Sequence, residues 1–166
     1  LILLCGGSSG ILGANLLLNK KEEAKKTAVY LKKIFGDRLY IEIQRHGQQD
    51  SYKTKEEEET EDFLLELADD NYIPIVATNN VHFKDNKSFE AQDVLLCIAQ
   101  NAYLDQEAQR ERLTQEHYFK SSYEMKTLFG DLLEAYNNTL EIAVRCTFKP
   151  SKREPILPKF APNEKE

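Results

Sequence analysis

One hundred and sixty-six residues amount to about one domain, long enough to bury a substantial core. With 41% apolar and 30% charged residues the composition is that of a water-soluble globular protein, and a net charge of −6 excludes bulk electrostatic attraction to nucleic acid or to an anionic membrane. The apolar run at the start, Leu1 to Cys5, is too short to span a bilayer, and no positively charged segment precedes it. Three cysteines, Cys5, Cys97 and Cys146, are odd in number, widely spaced and set in apolar or helical contexts. They predict buried thiols in a reducing compartment rather than disulfides or a zinc site. Because the chain begins without Met, inside a strand-like run, it is expected to be cut from a longer polypeptide.

The uninterrupted apolar run Leu1 to Cys5 predicts a strand, broken by Gly6, Gly7, Ser8, Ser9 and Gly10 before Ile11 to Leu18 resume with helical spacing. These glycines do not fit Gly-x-Gly-x-x-Gly and no Lys-Ser/Thr follows, so a tight turn is expected rather than a phosphate cradle. From Lys21 to Phe35, Ala24, Ala28, Leu31 and Phe35 recur at three and four residues, an amphipathic helix with Gly36 as its C-cap. Leu39 to Gln44 alternates as a strand does, with Leu39, Ile41 and Ile43 on one side and Tyr40, Glu42 and Gln44 on the other. Glu56 to Glu59 is a run of four acids expected to form a solvated face at a helix start, where the macrodipole favours it. Phe63, Leu64, Leu67 and Ala68 supply that helix's buried stripe.

The stretch Ile73 to Phe83 is organised as a buried strand that stops abruptly and releases polar residues. Ile75, Val76 and Ala77 form the strand, and Asn80 and His82 lie two apart beyond its carboxyl end, on one side of an extended chain. His46 occupies the same place after the strand ending at Gln44. Strand, helix and strand between Leu39 and Thr78 make a βαβ unit, so the two pair in parallel and both histidines fall on one edge of the sheet. Downstream, Ser88 is expected to cap a largely buried helix to Gln100, with Val94 to Ile98 in its core face. A polar surface loop follows, carrying Asp105, Glu107, Arg110, Glu111 and Arg112. His117 to Lys120 reads as extended, and Ser121 with Glu124 as a capping box on a short helix stopping at Gly130. Leu132, Leu133, Tyr136, Leu140, Ala143 and Cys146 predict a final helical stripe, after which Pro150, Pro155, Pro158 and Pro162 end regular packing.

Neutral imidazole suits zinc, manganese and iron, and an Asn oxygen is a weaker ligand than a carboxylate. His46, His82 and Asn80 are therefore an incomplete ligand set. No Ser/His/Asp or Cys/His nucleophile is suggested locally, Cys97 lies in an apolar helix, and no acid pair stands out among 28 acidic residues.

Four blocks in register carry a resemblance: Leu39 to His46, Ile75 to Phe83, Ala91 to Ile98 and Asn138 to Cys146, with the opening Leu-Cys-Gly-Gly-Ser-Ser-Gly and the closing Ile-Leu-Pro-Lys-Phe in order around them. Together they resemble the alpha subunits of bacterial DNA polymerase III, replicative polymerases of the C family. The likeness falls in the C-terminal part of their N-terminal PHP (polymerase and histidinol phosphatase) domain. The resemblance implies an α/β fold, a fragment of a distorted (β/α)7 PHP-type barrel with parallel βα units and C-terminal helices. Residues 1–148 would be the PHP portion and 149–166 an extended linker toward the polymerase core.

In that family the strand ends hold a metal cluster, and the matching positions here are His46 and His82. Asn80 stands where metal-binding members carry Asp, which implies a vestigial or partial site for zinc or manganese. Magnesium would serve the parent polymerase, whose catalytic aspartates lie outside the segment. The implied function is DNA-directed DNA synthesis in chromosome replication, in the cytoplasm, by the parent chain. This segment would be an inactive scaffold and a docking platform for replisome proteins, including the proofreading exonuclease subunit, with DNA contacted through the parent chain. The alternative is a metal-dependent phosphoesterase, a proofreading site using His46 and His82 to hold ions that activate water. The open sheet edges of a truncated barrel also predict dimerisation.

Overall fold

Leu39–Gln44 alternates, with its apolar face covered, and lies in the middle of a three-stranded parallel sheet. The computed structural model describes residues 1–48, 51–106 and 112–153. In chain order its elements are β1 (Leu3–Leu4), α1 (Ile11–Leu17), α2 (Lys21–Phe35), β2 (Leu39–Gln44), α3 (Lys55–Asp70), β3 (Ile75–Thr78), α4 (Phe89–Gln100), α5 (Ser122–Leu128) and α6 (Leu133–Arg145). Strand order is β1-β2-β3. Leu3 pairs with Leu39, and Ile41 to Gln44 pair with Ile75 to Thr78, both in parallel.

Leu39, Ile41, Ile43, Ile75 and Ala77 share one face and join a single core with Leu12, Ala24, Ala28, Phe63, Leu64, Leu67, Phe129 and Ala135. Fully burying a Leu or Ile contributes about 1.5–3 kcal/mol, so this face holds the layers together. The alanines of α2 let that helix sit close, and Gly36, at φ +59, ends it with open space around its Cα, as a C-cap requires. The opposite face carries Glu42, Gln44 and Thr78, which bond to one another: Gln44 Nε2 donates to Glu42 Oε1 at 3.1 Å and to Thr78 Oγ1 at 3.0 Å. Glu42 also accepts the Thr78 hydroxyl.

The Gly/Ser segment is the expected tight turn. Gly6 and Gly7 adopt φ +78 and +47, and the Gly6 N–H is filled by Glu42 Oε2 at 2.8 Å. Burial first, then the Glu42 charge, pushes the Cys5 thiol up to about 11. Cys5 and Cys97 are buried as expected, whereas Cys146 is exposed.

Two helices bury other faces than the sequence pattern predicts. α4 begins at Phe89, and the Ser88 hydroxyl donates to Asp85 at 2.9 Å instead of capping it. Only Phe89, Asp93 and Cys97 of α4 are buried; Val94, Leu95 and Ile98 are exposed, because the apolar run winds around the helix and a single stripe faces inward. In α6 the buried residue is Ala135, while Leu133, Leu140 and Cys146 of the expected stripe are exposed. The helix packs with Ala135 buried and Tyr136 partly buried against the core, and Asn138 adds a polar tie to β3: Pro74 gives its carbonyl to Ile41 N–H, so the next carbonyl, Ile75, points away from β2 and accepts from Asn138 Nδ2 at 2.8 Å. α5 carries the expected Ser121/Glu124 capping box. Residues 149–153 have neither helix nor strand. Pro155, Pro158 and Pro162 lie outside the described residues, as do Glu107, Arg110 and Glu111.

Candidate functional site at the carboxyl ends of the strands

Parallel strands deliver their carboxyl ends to one edge, and there the chain gathers all three of its histidines. His46 follows β2, His82 follows β3, and His117 arrives on an extended segment that pairs Tyr118 with Phe83. That pairing is fixed by His82 N–H donating to His117 O at 2.9 Å and Phe119 N–H to Phe83 O at 3.0 Å. A cleft of about 650 Å³ opens between them, lined among others by Ser8, Gln44, His46, Asn80, His82 and His117. The expected residues His46, Asn80 and His82 are thus brought together, and His117 is added to them.

Their environments differ. Asn80 has φ +39, so the chain is not extended there, and both Asn80 and His82 are exposed. His46 is 2% exposed and fully engaged. Its Nδ1 lies 2.6 Å from Glu57 Oε1, its Nε2 2.8 Å from the Asn79 carbonyl oxygen, and its backbone N–H donates to Glu57 Oε2 at 2.8 Å. The ring of His117 stacks on it at 3.9 Å, inclined by 10°. Burial first, then the nearby His46, drives His117 down to about 4, so this ring is neutral near pH 7.

Glu57 corrects the reading of the acid run. Glu56, Glu58 and Glu59 are exposed, but Glu57 is 4% exposed and is the third residue of a capping box on Thr54. Burial opposes its ionisation, yet bonds from the His46 ring, the His46 and Thr54 N–H groups and the His46 charge outweigh it and hold the carboxyl below its usual range. The signature Thr-x-x-Glu is present in the sequence at 54–57.

On residues next to the cleft-lining ones, other polar groups are also spent on protein. Arg45 forks onto Glu61 at 2.7 and 3.0 Å and onto Asp131 at 2.7 and 2.8 Å, and donates to the Leu128 carbonyl at 2.9 Å. Asn79, adjacent to the residue singled out from the sequence, donates to the Glu116 and Tyr118 carbonyls at 3.1 and 2.6 Å and accepts from Lys120 at 3.3 Å. Nothing local in the sequence announces these ties, which join residues 37 to 86 positions apart, apart from the Arg45–Glu61 arm at 16.

A resident metal ion needs several unengaged donors converging on one point. Among the described residues no group of three His, Cys, Asp or Glu side chains is placed to hold one, and both His46 nitrogens face protein acceptors. The donor set does not fit a metal centre.

Fold and site define an α/β protein of parallel strands with a histidine-lined cleft at their carboxyl ends. Among the described residues no helix is long and apolar enough to cross a membrane. No family model matches the chain. It is similar, however, to curated proteins named DNA polymerase III subunit alpha: 44% identical over 160 residues, 96% of this chain, to that of Caulobacter vibrioides. Identity is 41% over 161 residues, 97% of the chain, for Rickettsia bellii, and 35% over 152 residues, 91% of the chain, for Borreliella burgdorferi. The chain spans about 13% of the length of these relatives. The resemblance to bacterial DNA polymerase III alpha subunits, proteins of DNA replication, is thereby borne out.

Proposed function

We propose that the chain works as a structural segment of a replicative DNA polymerase III alpha subunit, in the cytoplasm, within a replisome that synthesises DNA on a DNA template. Similarity along 96% of the chain to proteins of that name carries the reading. Residues 1–148 form the C-terminal portion of a PHP-type barrel in this proposal, and 149–166 lead toward the polymerase core. The consumption of buried polar groups by protein contacts supports a scaffold over a reaction centre. An acidic chain also suits protein partners, the proofreading exonuclease subunit among them, better than direct contact with DNA. Convergence of three histidines favours the phosphoesterase alternative, but that chemistry requires metal, and the residues present do not fit it.

The test is to replace the equivalent segment of the Caulobacter relative with this chain and measure primer extension. A chimera that extends primers and co-purifies with its proofreading subunit is expected, while the isolated chain incorporates no deoxynucleotide. A soluble chimera without extension would refute the scaffold role. Release of nucleotides from primed DNA by the isolated chain, abolished by His82→Ala, would favour the phosphoesterase. Sedimentation of the isolated chain tests the expected dimerisation.

A further inference from the structure

Where α3 ends and β3 begins, on the far side of the sheet from the histidines, lies a groove of about 440 Å³, floored by Leu65, Ala68, Ile73, Pro74 and Ile75 and rimmed by Asp69 and Glu134. Tyr72 stands at its edge, 88% exposed and at φ +50, its carbonyl held by Lys32 Nζ at 2.6 Å. A bulky side chain rarely adopts positive φ, and an aromatic ring in water buries none of its apolar surface, so two unfavourable features coincide here. Among the described residues neither the Asp69 nor the Glu134 carboxylate has a hydrogen bond or an ion pair, and both are exposed. An apolar floor under an anionic rim, with an aromatic ring beside it, fits an apolar segment that carries cations.

The sequence contains such a segment. Residues 152–160 carry the cations Lys152, Arg153 and Lys159 and the apolar Ile156, Leu157 and Phe160, and Pro155 and Pro158 have the Pro-x-x-Pro spacing that aromatic-lined grooves recognise. From Glu154 onward these lie outside the described residues, which end within reach of the groove. Arg145, the last residue of α6, donates to the Asp37 carbonyl at 2.9 Å and to the Tyr40 hydroxyl at 2.7 Å, so α6 ends at the amino edge of the sheet, where Ile73 and Pro74 lead into β3. Residues 146–153 can span about 26 Å. That exceeds the length of the 13-residue α6, about 20 Å, whose first turn holds Glu134. We propose that the groove is the docking site of the chain's own residues 152–160, their prolines and apolar side chains against Tyr72 and the floor, their cations against Asp69 and Glu134. Such docking does not depend on the replication reading; within that reading it sets the direction in which 149–166 leave toward the polymerase core.

The sequence has no Trp, so Phe160→Trp in the 166-residue chain supplies a single reporter, read by its emission maximum and by acrylamide quenching. The expected result is blue-shifted emission, with quenching several-fold weaker than that of N-acetyltryptophanamide and unchanged on dilution. Adding Asp69→Lys and Glu134→Lys, both at exposed positions, is expected to return the indole to solvent, as is Tyr72→Ala on its own; Lys152→Glu and Arg153→Glu on top of the reversed rim should restore the shielding. An indole quenched like the free compound overturns the proposal. So does shielding that survives both the reversed rim and Tyr72→Ala, which would seat the segment elsewhere, or shielding lost on dilution, which would make the occupant the segment of a second copy. In the unmodified chain, nuclear Overhauser contacts between the Ile156 methyls and the Tyr72 ring are expected, and their absence refutes the docking whatever the variants do.

Discussion

Replacing Arg45 with Met isolates what the buried fork contributes. Met keeps an apolar stem near the Phe129 ring, which lies 5.0 Å from the guanidinium, while removing the charge. The side chains of Arg45 and Glu61 are both 5% exposed, so the substitution strands a buried carboxylate, which costs about 3–5 kcal/mol when nothing compensates. Two features reduce that cost. Lys53 Nζ remains 2.9 Å from Glu61, and Asp131, at 63% exposed, passes to water with little loss. The net expectation is about 2–4 kcal/mol. Urea unfolding followed by circular dichroism would read this as a midpoint lowered by about 1–2 M at a typical slope for a small domain. Removing Glu61 as well, in Arg45→Met/Glu61→Leu, eliminates the stranded charge and should recover part of the loss. A single variant within about 0.5 kcal/mol of the parent, or a double variant no better than the single, would refute the reasoning.

Acid should weaken the fold. His117 titrates near 4 when folded and near 6.5 when unfolded, so the unfolded chain takes up the proton first; its contribution is complete above about 6.5 and is lost as pH falls toward 4. Glu57, held below its usual range, adds a loss of the same sign at lower pH, so urea midpoints should fall between pH 7.5 and 4.5, and a flat profile contradicts this. Gly7→Ala should lower the melting temperature more than Gly36→Ala. Both sites have positive φ, worth about 1 kcal/mol of strain, but a Cβ at Gly7 meets Gln44 Oε1 at 2.7 Å whereas Gly36 has open space. Asn138→Leu leaves the Ile75 carbonyl without its donor and should cost about 1–2 kcal/mol by denaturant unfolding, while Leu140→Ser, at an exposed position, should cost less than about 0.5.

Local pattern carried most of the elements. The alternation of Leu39 to Gln44 and the three-and-four spacing of Lys21 to Phe35 coincide with β2 and α2, because one periodic face meets one core. Pattern misled where a helix is apolar on more sides than the core needs: α4 and α6 have surplus leucines, and only the partner surface decides which face is buried. At the site, βαβ logic placed His46 and His82 on one sheet edge, but burial separated them. Glu57 was readable from Thr-x-x-Glu and was masked by the acids beside it. His117 was not readable, because its partner strand segment at Phe83 is set by tertiary pairing, with no periodic signal linking the two.

The distribution of engaged polar groups is what favours the proposed scaffold reading over a reaction centre. A general acid, base or ligand must keep a proton or lone pair for the substrate. Glu42 spends its carboxylate on Gly6, Gln44 and Thr78, Glu57 on Thr54 and His46, and Arg45 on two carboxylates and a carbonyl. Asn79 spends both ends of its amide on the 116–120 segment. Apart from the Glu42–Gln44 and Glu57–Thr54 bonds, which are local, these bonds join separate segments near the carboxyl edge of the sheet. The buried charge-assisted bonds, 2.7 Å between Arg45 and Glu61 and 2.6 Å between His46 and Glu57, specify direction as well as proximity. Under the proposed scaffold reading, an edge tied in this way would present a constant surface to neighbours.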